Sequence, residues 1–160
     1  MSQHSTPFGG GQMSNAQERE AFFEILKDAC EPFHSPEGTN YARVSIKGYQ
    51  EVVAIKGKKF RHYAALLYRE FSGKIPVSNF LKDIISMIDA EASIGPERPV
   101  YIRVTEIEGA IYIDLCNERR EQVRITSAGW EIIDSHQSPA CFFRSKRSSA
   151  FSLTVSSVSK

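Results

Sequence analysis

The spacing of apolar residues changes near residue 95, and this change most constrains the fold. Between Lys58 and Ser72 apolar residues recur at intervals of three and four, and Gly73 stands where a helix end favours glycine. Ser78 is the predicted N-cap of a second helix, which buries Phe80, Leu81, Ile84, Ile85, Ile88 and Ala92. The short linker between these helices predicts an antiparallel helix pair.

From Val100 onward, apolar residues alternate with other side chains, as in half-buried strands. The first strand alternates Val100, Ile102 and Val104 with Tyr101, Arg103 and Thr105, and the second alternates Ile111, Ile113 and Leu115 with Tyr112 and Asp114. Glu108-Gly109 predicts the hairpin turn between them. Further strands at 122–126, 130–133 and 141–144 complete a predicted antiparallel meander, with Trp130 in the core.

The residues before the helix pair predict a helix and a hairpin. Ser14 and Gln17 have the spacing of a capping box, and the helix is expected to run to about Glu31, before Pro32. Residues 34–40 have the composition of a loop, and strands are predicted at 41–46 and 51–55. The predicted fold class is therefore α+β: an N-terminal helix, a β-hairpin, an antiparallel helix pair and a C-terminal antiparallel β-meander.

The length of 160 residues favours one domain. We predict a flexible arm at residues 1–13, a single α+β domain at 14–144, and a poorly ordered, serine-rich tail at 145–160. Phe151, Leu153 and Val155 alternate within this tail and could add an edge strand.

The cysteine pattern gives no sign of a metal site or a disulfide framework. Cys30, Cys116 and Cys141 are far apart and odd in number, which favours free, buried or half-buried thiols and no cofactor. The N-terminus lacks the apolar region of a signal peptide, and no apolar run approaches the roughly 18 residues of a membrane span. These features predict a cytoplasmic protein without a membrane partner.

Positive charge is concentrated between Arg43 and Lys74, where the sequence has eight Lys and Arg residues and only two Glu residues. The segment Lys56-Gly57-Lys58-Lys59 lies at a predicted strand-to-helix junction, where free backbone N–H groups attract anions. The candidate phosphate-binding residues are Lys56, Lys58, Lys59, Arg61, Arg69 and Lys74. The alternative is that these are solvated surface charges.

No complete catalytic motif occurs in the sequence. Asp134 and His136 could act with Cys141 as a nucleophile only if a polar loop brought them together, and we rank this interpretation last. Asp114 with Glu106 or Glu108 could bind a metal across a hairpin, although such carboxylates more often lie on the solvated face of a sheet. We therefore expect a non-enzymatic protein.

Three blocks of sequence resemble a known domain type. The first block, at residues 33–42, is FHSPEGTNYA. The second block comprises FRHY at 60–63, LY at 67–68 and GKIP at 73–76. The third block comprises YIRV at 101–104, IYIDL at 111–115 and GWEII at 129–133, and it is followed by Arg144. Together they resemble the domain that precedes the ATPase module in phage- and plasmid-encoded bacterial replication proteins, of the virulence-associated-E or poxvirus primase–helicase kind. After Arg144 that family continues into a Leu- and Pro-rich linker and the ATPase, whereas a serine-rich segment follows here, so we expect the ATPase to be absent.

The resemblance implies a non-catalytic accessory domain of mobile-element DNA replication, which binds DNA or a replicative helicase or ATPase. The alternative is a protein-interaction module that uses a sheet face or edge and binds no nucleic acid. A degenerate remnant of a replication protein is a further alternative. The oligomeric state is left open by the sequence.

Overall fold

The computed structural model describes residues 13–145. Its first helix, α1 (Asn15–Asp28), begins at the predicted capping box. The Ser14 N–H donates to Gln17 Oε1 at 3.0 Å, and the Gln17 N–H donates to Ser14 Oγ at 3.3 Å. These two bonds satisfy backbone donors that the first helical turn leaves without partners.

The predicted helix end near Glu31 is wrong, whereas the loop predicted at residues 34–40 is confirmed for residues 35–39. Residues Cys30–His34 form strand β1, which pairs antiparallel with β2 (Asn40–Ile46). Pro32 is accommodated because β1 is an edge strand, where a missing N–H need not break the ladder. The partners in this ladder are 6 to 14 residues apart, so β1 and β2 form a hairpin across residues 35–39, which the helical pattern of the preceding residues does not predict.

The predicted hairpin is confirmed and forms part of a three-stranded antiparallel sheet, in the order β1-β2-β3. Strand β3 spans Tyr49–Ala54 and so begins two residues earlier than expected. Lys47 and Gly48 form the turn with φ values of 52° and 80°. Two successive positive φ angles are typical of the tight turn that matches the twist of paired strands.

The helix pair is confirmed as α2 (Lys58–Ser72) and α3 (Ser78–Ile94). Gly73 closes α2 in the left-handed conformation, as predicted, whereas Val77 and not Ser78 is the N-cap of α3. The three helices and the three-stranded sheet share the largest core, to which Phe22, Val53 and Phe60 contribute fully buried side chains.

The C-terminal half is strand-rich, as predicted. The structure has β4 (Val100–Tyr101), β5 (Val104–Ile107), β6 (Ala110–Asp114), β7 (Gln122–Thr126), β8 (Gly129–Ile133) and β9 (Cys141–Phe142). Strands β5 to β8 form the antiparallel meander, and Glu108-Gly109 is its first turn. The single strand predicted over 100–105 is divided, because β4 pairs in parallel with β9 while β5 pairs with β6.

The two halves meet at a small cluster formed by Phe33, Val52 and Cys141. Isolated bridges join His34 to Glu97 and Val52 to Phe143 at the same junction. This contact places the β4–β9 pair against the first sheet, and Phe142 of β9 shares a second cluster with Tyr112 and Ile133 of the meander.

The predictions for residues 1–12 and 146–160, including the edge strand at Phe151, Leu153 and Val155, lie outside the described residues. Among the helices of residues 13–145, none combines the length and apolar character needed to cross a bilayer. Over the same residues, no group of three or more His, Cys, Asp and Glu side chains is placed to hold a metal ion.

Candidate functional site

Three of the six predicted phosphate-binding cations form ion pairs within the domain. Each pairs with one carboxylate: Lys56 Nζ with Asp89 Oδ2 at 2.9 Å, Lys59 Nζ with Glu51 Oε1, and Lys74 Nζ with Glu18 Oε1 at 3.2 Å. Their positive charge is therefore partly cancelled inside the fold. All three lysine side chains are still more than half exposed, so their assignment as phosphate-binding residues stays a prediction.

The Glu51 carboxylate lies at the centre of the most buried of these pairs. Its side chain is 7% exposed, and it accepts hydrogen bonds from Lys59 Nζ and from Arg120 Nη2, the latter at 2.8 Å. The two cationic donors balance the negative charge of this buried carboxylate. Removing either donor would leave part of that charge unbalanced where water solvates it poorly. Lys59 is therefore a structural residue of the β3–α2 junction.

Lys74 and Tyr68 both bind the Glu18 carboxylate. Tyr68 Oη donates to Glu18 Oε1 at 2.8 Å, and Lys74 Nζ lies 3.2 Å from the same oxygen. The Tyr68 hydrogen bond, followed by the Lys74 interactions, lowers the pKa of Glu18 below its ordinary value. This group joins α1 to α2 and the residues that follow it.

The other three predicted cations, Lys58, Arg61 and Arg69, are exposed along α2. Their separations of three and eight residues place them on one face of the helix, together with Ala65. No ion pair within residues 13–145 involves any of them. We call Lys58, Arg61 and Arg69 the α2 basic stripe, and by helical rise it extends for about 16 Å.

A cleft of about 550 Å³ adjoins the start of this stripe. Its lining includes four cationic side chains, those of Lys58, Lys59, Arg120 and Arg144, and one acidic side chain, that of Glu118. Gly57 and the apolar residues Val52, Val53, Ala54 and Phe143 also line it. Gly57 is the N-cap of α2 and supplies no side-chain acceptor to the helix, whose first turn also lacks an acidic residue. A Cβ atom at Gly57 would lie 2.9 Å from the Ala54 carbonyl oxygen, so the close approach of strand and helix requires glycine.

Lys58 belongs both to this cleft and to the α2 basic stripe, which makes the two features continuous. The start of a helix has the positive end of the helix dipole and N–H groups without intrahelical acceptors. Such an arrangement favours phosphate or carboxylate groups over cations. The continuous surface is therefore chemically suited to an extended anion.

A polar cavity of about 30 Å³ lies between the two sheets, lined in part by Asp114, Arg120, Gln122 and Arg144. Gln122 Oε1 is buried there, and among the described residues it has no hydrogen-bond partner. The volume is sufficient for a water molecule, which would satisfy this oxygen. The cavity is too small for an organic ligand.

Asp114 has neither of the roles that the sequence suggested. Its side chain is 1% exposed and is paired with Arg144, so it lies neither on a solvated sheet face nor at a metal site with Glu106 or Glu108. The sequence gives no local signal for this pair, because its members are 30 residues apart.

The structure does not assemble the nucleophile proposed from Asp134, His136 and Cys141. His136 Nε2 lies 3.0 Å from the Gly48 carbonyl oxygen, and Asp134 Oδ1 accepts a hydrogen bond from the His136 backbone N–H. Cys141 is buried, and its Sγ accepts a hydrogen bond from Arg43 Nη2 at 3.0 Å. The imidazole and the thiol thus have separate partners.

All three cysteines are free, with Cys30 and Cys141 buried and Cys116 half-buried, as predicted. Burial raises the pKa of the Cys30 thiol to about 12, with a smaller contribution from Glu31. A thiol with so high a pKa is a poor nucleophile at neutral pH.

One face of the β5–β8 meander is apolar and uncovered by other described elements. It has Val104, Ile111, Ile113, Val123, Ile125, Trp130 and Ile132 at alternate positions of paired strands. Trp130 is 57% exposed, Val104 53% and Ile132 47%, whereas Val123 is buried. We call these seven residues the open sheet face, and the core position predicted for Trp130 is wrong.

Comparison with protein-family models, with curated proteins and with solved structures gave no match to this chain. The fold and its surfaces therefore define only a class: an α+β domain whose described residues present a basic helix stripe and an apolar sheet face.

Proposed function

We propose that this chain is a non-enzymatic accessory domain of mobile-element DNA replication, which binds DNA phosphates through the α2 basic stripe and the adjoining cleft. The observation that carries the proposal is the exposure of Lys58, Arg61 and Arg69 on one helix face without acidic partners. The sequence blocks that resemble replication proteins supply the biological setting. That resemblance also makes a replicative helicase or ATPase a candidate partner.

The proposed contact set is narrower than the six residues taken from the sequence. Lys56, Lys59 and Lys74 contribute to the local potential, but their carboxylate partners reduce the charge available to a ligand. The principal contacts are therefore Lys58, Arg61 and Arg69. Three such contacts are suited to the sugar–phosphate backbone and carry no information about base sequence.

The test compares two triple variants with the same change in charge. Lys58→Ala/Arg61→Ala/Arg69→Ala is expected to weaken binding of a fluorescent single-stranded oligonucleotide about tenfold or more at low salt. Arg19→Ala/Lys82→Ala/Arg124→Ala removes three exposed cations, from α1, α3 and β7, and is expected to leave affinity within about twofold. Equal affinities of the two variants, with circular dichroism unchanged, would exclude the stripe as the binding surface.

The open sheet face supports a second candidate function, that of a protein-interaction module. Contiguous apolar surface on a sheet is typical of docking sites, because the largest apolar patch of a soluble domain is often functional. This candidate uses a different part of the fold from the α2 basic stripe.

The proposal assigns the chain to the cytoplasm, on the support of its three free cysteines. Thiols remain unpaired most readily in a reducing compartment.

A further inference from the structure

We propose that the open sheet face binds a second copy of this chain, so that two meanders pack face to face in a two-fold dimer. The inference deepens the interaction candidate given above and does not depend on DNA binding. The second copy would cover a surface that the described residues leave exposed.

The size of the surface agrees with a modest dimer interface. Its exposed apolar area is on the order of 400 Å², which lies in the range of the largest apolar patches on soluble monomers. A standard interface buries about 800 Å² on each partner, of which rather more than half is apolar. The open sheet face therefore supplies close to the apolar part of one such interface.

The shape of the surface favours a partner of the same kind. Two antiparallel sheets pack about 10 Å apart when each presents apolar side chains at alternate positions. An identical sheet meets this requirement, and a two-fold axis makes the contact closed, so that it does not propagate.

The order of residues across the strands gives one arrangement without a charge conflict. One row across the sheet contains Val104, Ile113, Val123 and Ile132, and the next contains Glu106, Ile111, Ile125 and Trp130. An axis parallel to the strands, between β6 and β7, places β5 of one copy over β8 of the other.

Glu106 of one copy then lies opposite Trp130 of the other, which separates the two Glu106 carboxylates. The indole N–H is a donor, and a carboxylate is an acceptor. Glu106, the one charged residue in these two rows, is thereby given a partner across the interface.

Trp130 is the only tryptophan of the chain, so its fluorescence reports directly on this surface. The experiment measures sedimentation equilibrium and emission of the full chain across a range of protein concentrations. The expected result is a mass that rises toward twice 18.0 kDa, with a blue shift of the emission over the same concentrations.

Ile132→Lys keeps the fluorophore and places a cation in the contact. This variant is expected to stay monomeric at concentrations where the wild type is dimeric, with red-shifted emission. Leu66→Lys makes the same change at an exposed position of α2, and it is expected to dimerise like the wild type.

Two results would overturn the inference. A chain that stays monomeric at all concentrations with solvent-exposed Trp130 emission would exclude the dimer. A monomer with blue-shifted emission that Leu153→Lys converts to red-shifted emission would assign it to residues 146–160 of the same chain. DNA binding by the α2 basic stripe is measured separately, so either proposal can fail alone.

Discussion

The Asp114 carboxylate, at the end of β6, is held by the Arg144 guanidinium, which lies just after β9. Arg144 Nε donates to Asp114 Oδ2 at 2.7 Å and Nη2 donates to Oδ1, while Nη1 donates to the Asn117 carbonyl oxygen at 2.7 Å. The bidentate geometry is the strongest form of this interaction. This ion pair links the last described residues to β6, and Arg144 also lines the cleft beside α2.

Arg144→Ala leaves the buried carboxylate of Asp114 without its cation. The free energy of unfolding is expected to fall by about 3–5 kcal/mol, because the Cys116 N–H and thiol that also donate to this carboxylate carry no positive charge. Urea titration followed by circular dichroism measures the loss. Arg124→Ala is the matched control, since the Arg124–Glu131 pair is exposed and is worth less than about 1 kcal/mol. Equal losses in the two variants would contradict a special role for the buried pair.

Glu18 makes part of the stability dependent on pH. The Tyr68 hydrogen bond, then Lys74, lowers the pKa of Glu18 in the folded state below its ordinary value of 4.5. The unfolded chain therefore binds a proton more readily than the folded one. The contribution of Glu18 is complete above pH 4.5 and is lost as the pH falls through the folded-state pKa.

Glu18→Gln removes this titration. The variant is expected to be less stable than the wild type at neutral pH, and the difference is expected to shrink as the pH falls below about 4.5. Urea titrations at several pH values between neutral and acidic conditions measure both quantities. Glu20→Gln changes an exposed carboxylate of the same helix and is expected to run parallel to the wild type. A constant difference between Glu18→Gln and the wild type across this range would refute the linkage.

The helices were predictable because their signals are local. The Ser14 capping box, the spacing of three and four in α2 and α3, and Gly73 are each contained within a few consecutive residues. The end of α1 was not predictable in the same way, since pairing of β1 with β2 determines it.

The meander shows why alternation alone does not identify the buried face. In β6, Tyr112 and Asp114 are buried while Ile111 is exposed, which reverses the expected preference. Tyr112 packs with Phe142, and Asp114 pairs with Arg144, and both partners come from a distant part of the sequence. Alternation along a strand shows that neighbouring side chains point to opposite faces of the sheet, but it does not show which face the rest of the protein covers.

The sequence predicts which cationic residues belong to the candidate site, but only in part which of them lack a carboxylate partner. The excess of cations in residues 43–74 is visible in the sequence, and Lys58, Arg61 and Arg69 share a face because α2 is helical. The carboxylates that pair with Lys56 and Lys74 come from α3 and α1. Charge counting within a segment does not detect such pairs.

The cysteines are expected to differ in reactivity toward a thiol reagent. Cys30 and Cys141 are buried, and the high pKa of Cys30 disfavours its thiolate, whereas Cys116 is half-buried. Mass spectrometry after brief treatment with iodoacetamide should find one modified thiol in the folded chain and three in denaturant. Cys116→Ser should remove the native-state product. Modification of Cys141 before Cys116 would show that the β4–β9 region opens readily.

The salt dependence of DNA binding tests the number of phosphate contacts in the α2 basic stripe. Each neutralised phosphate of a single strand contributes about −0.7 to the slope of log affinity against log salt, so three contacts predict a slope of about −2. Arg61→Ala is expected to reduce the slope to about −1.4, because one contact is lost while the others persist. Lys82→Ala changes an exposed cation of α3 and should leave the slope unaltered. The slopes come from fluorescence anisotropy titrations at several salt concentrations. A slope of Arg61→Ala equal to that of the wild type would mean that Arg61 contacts no phosphate, even if the chain binds DNA elsewhere.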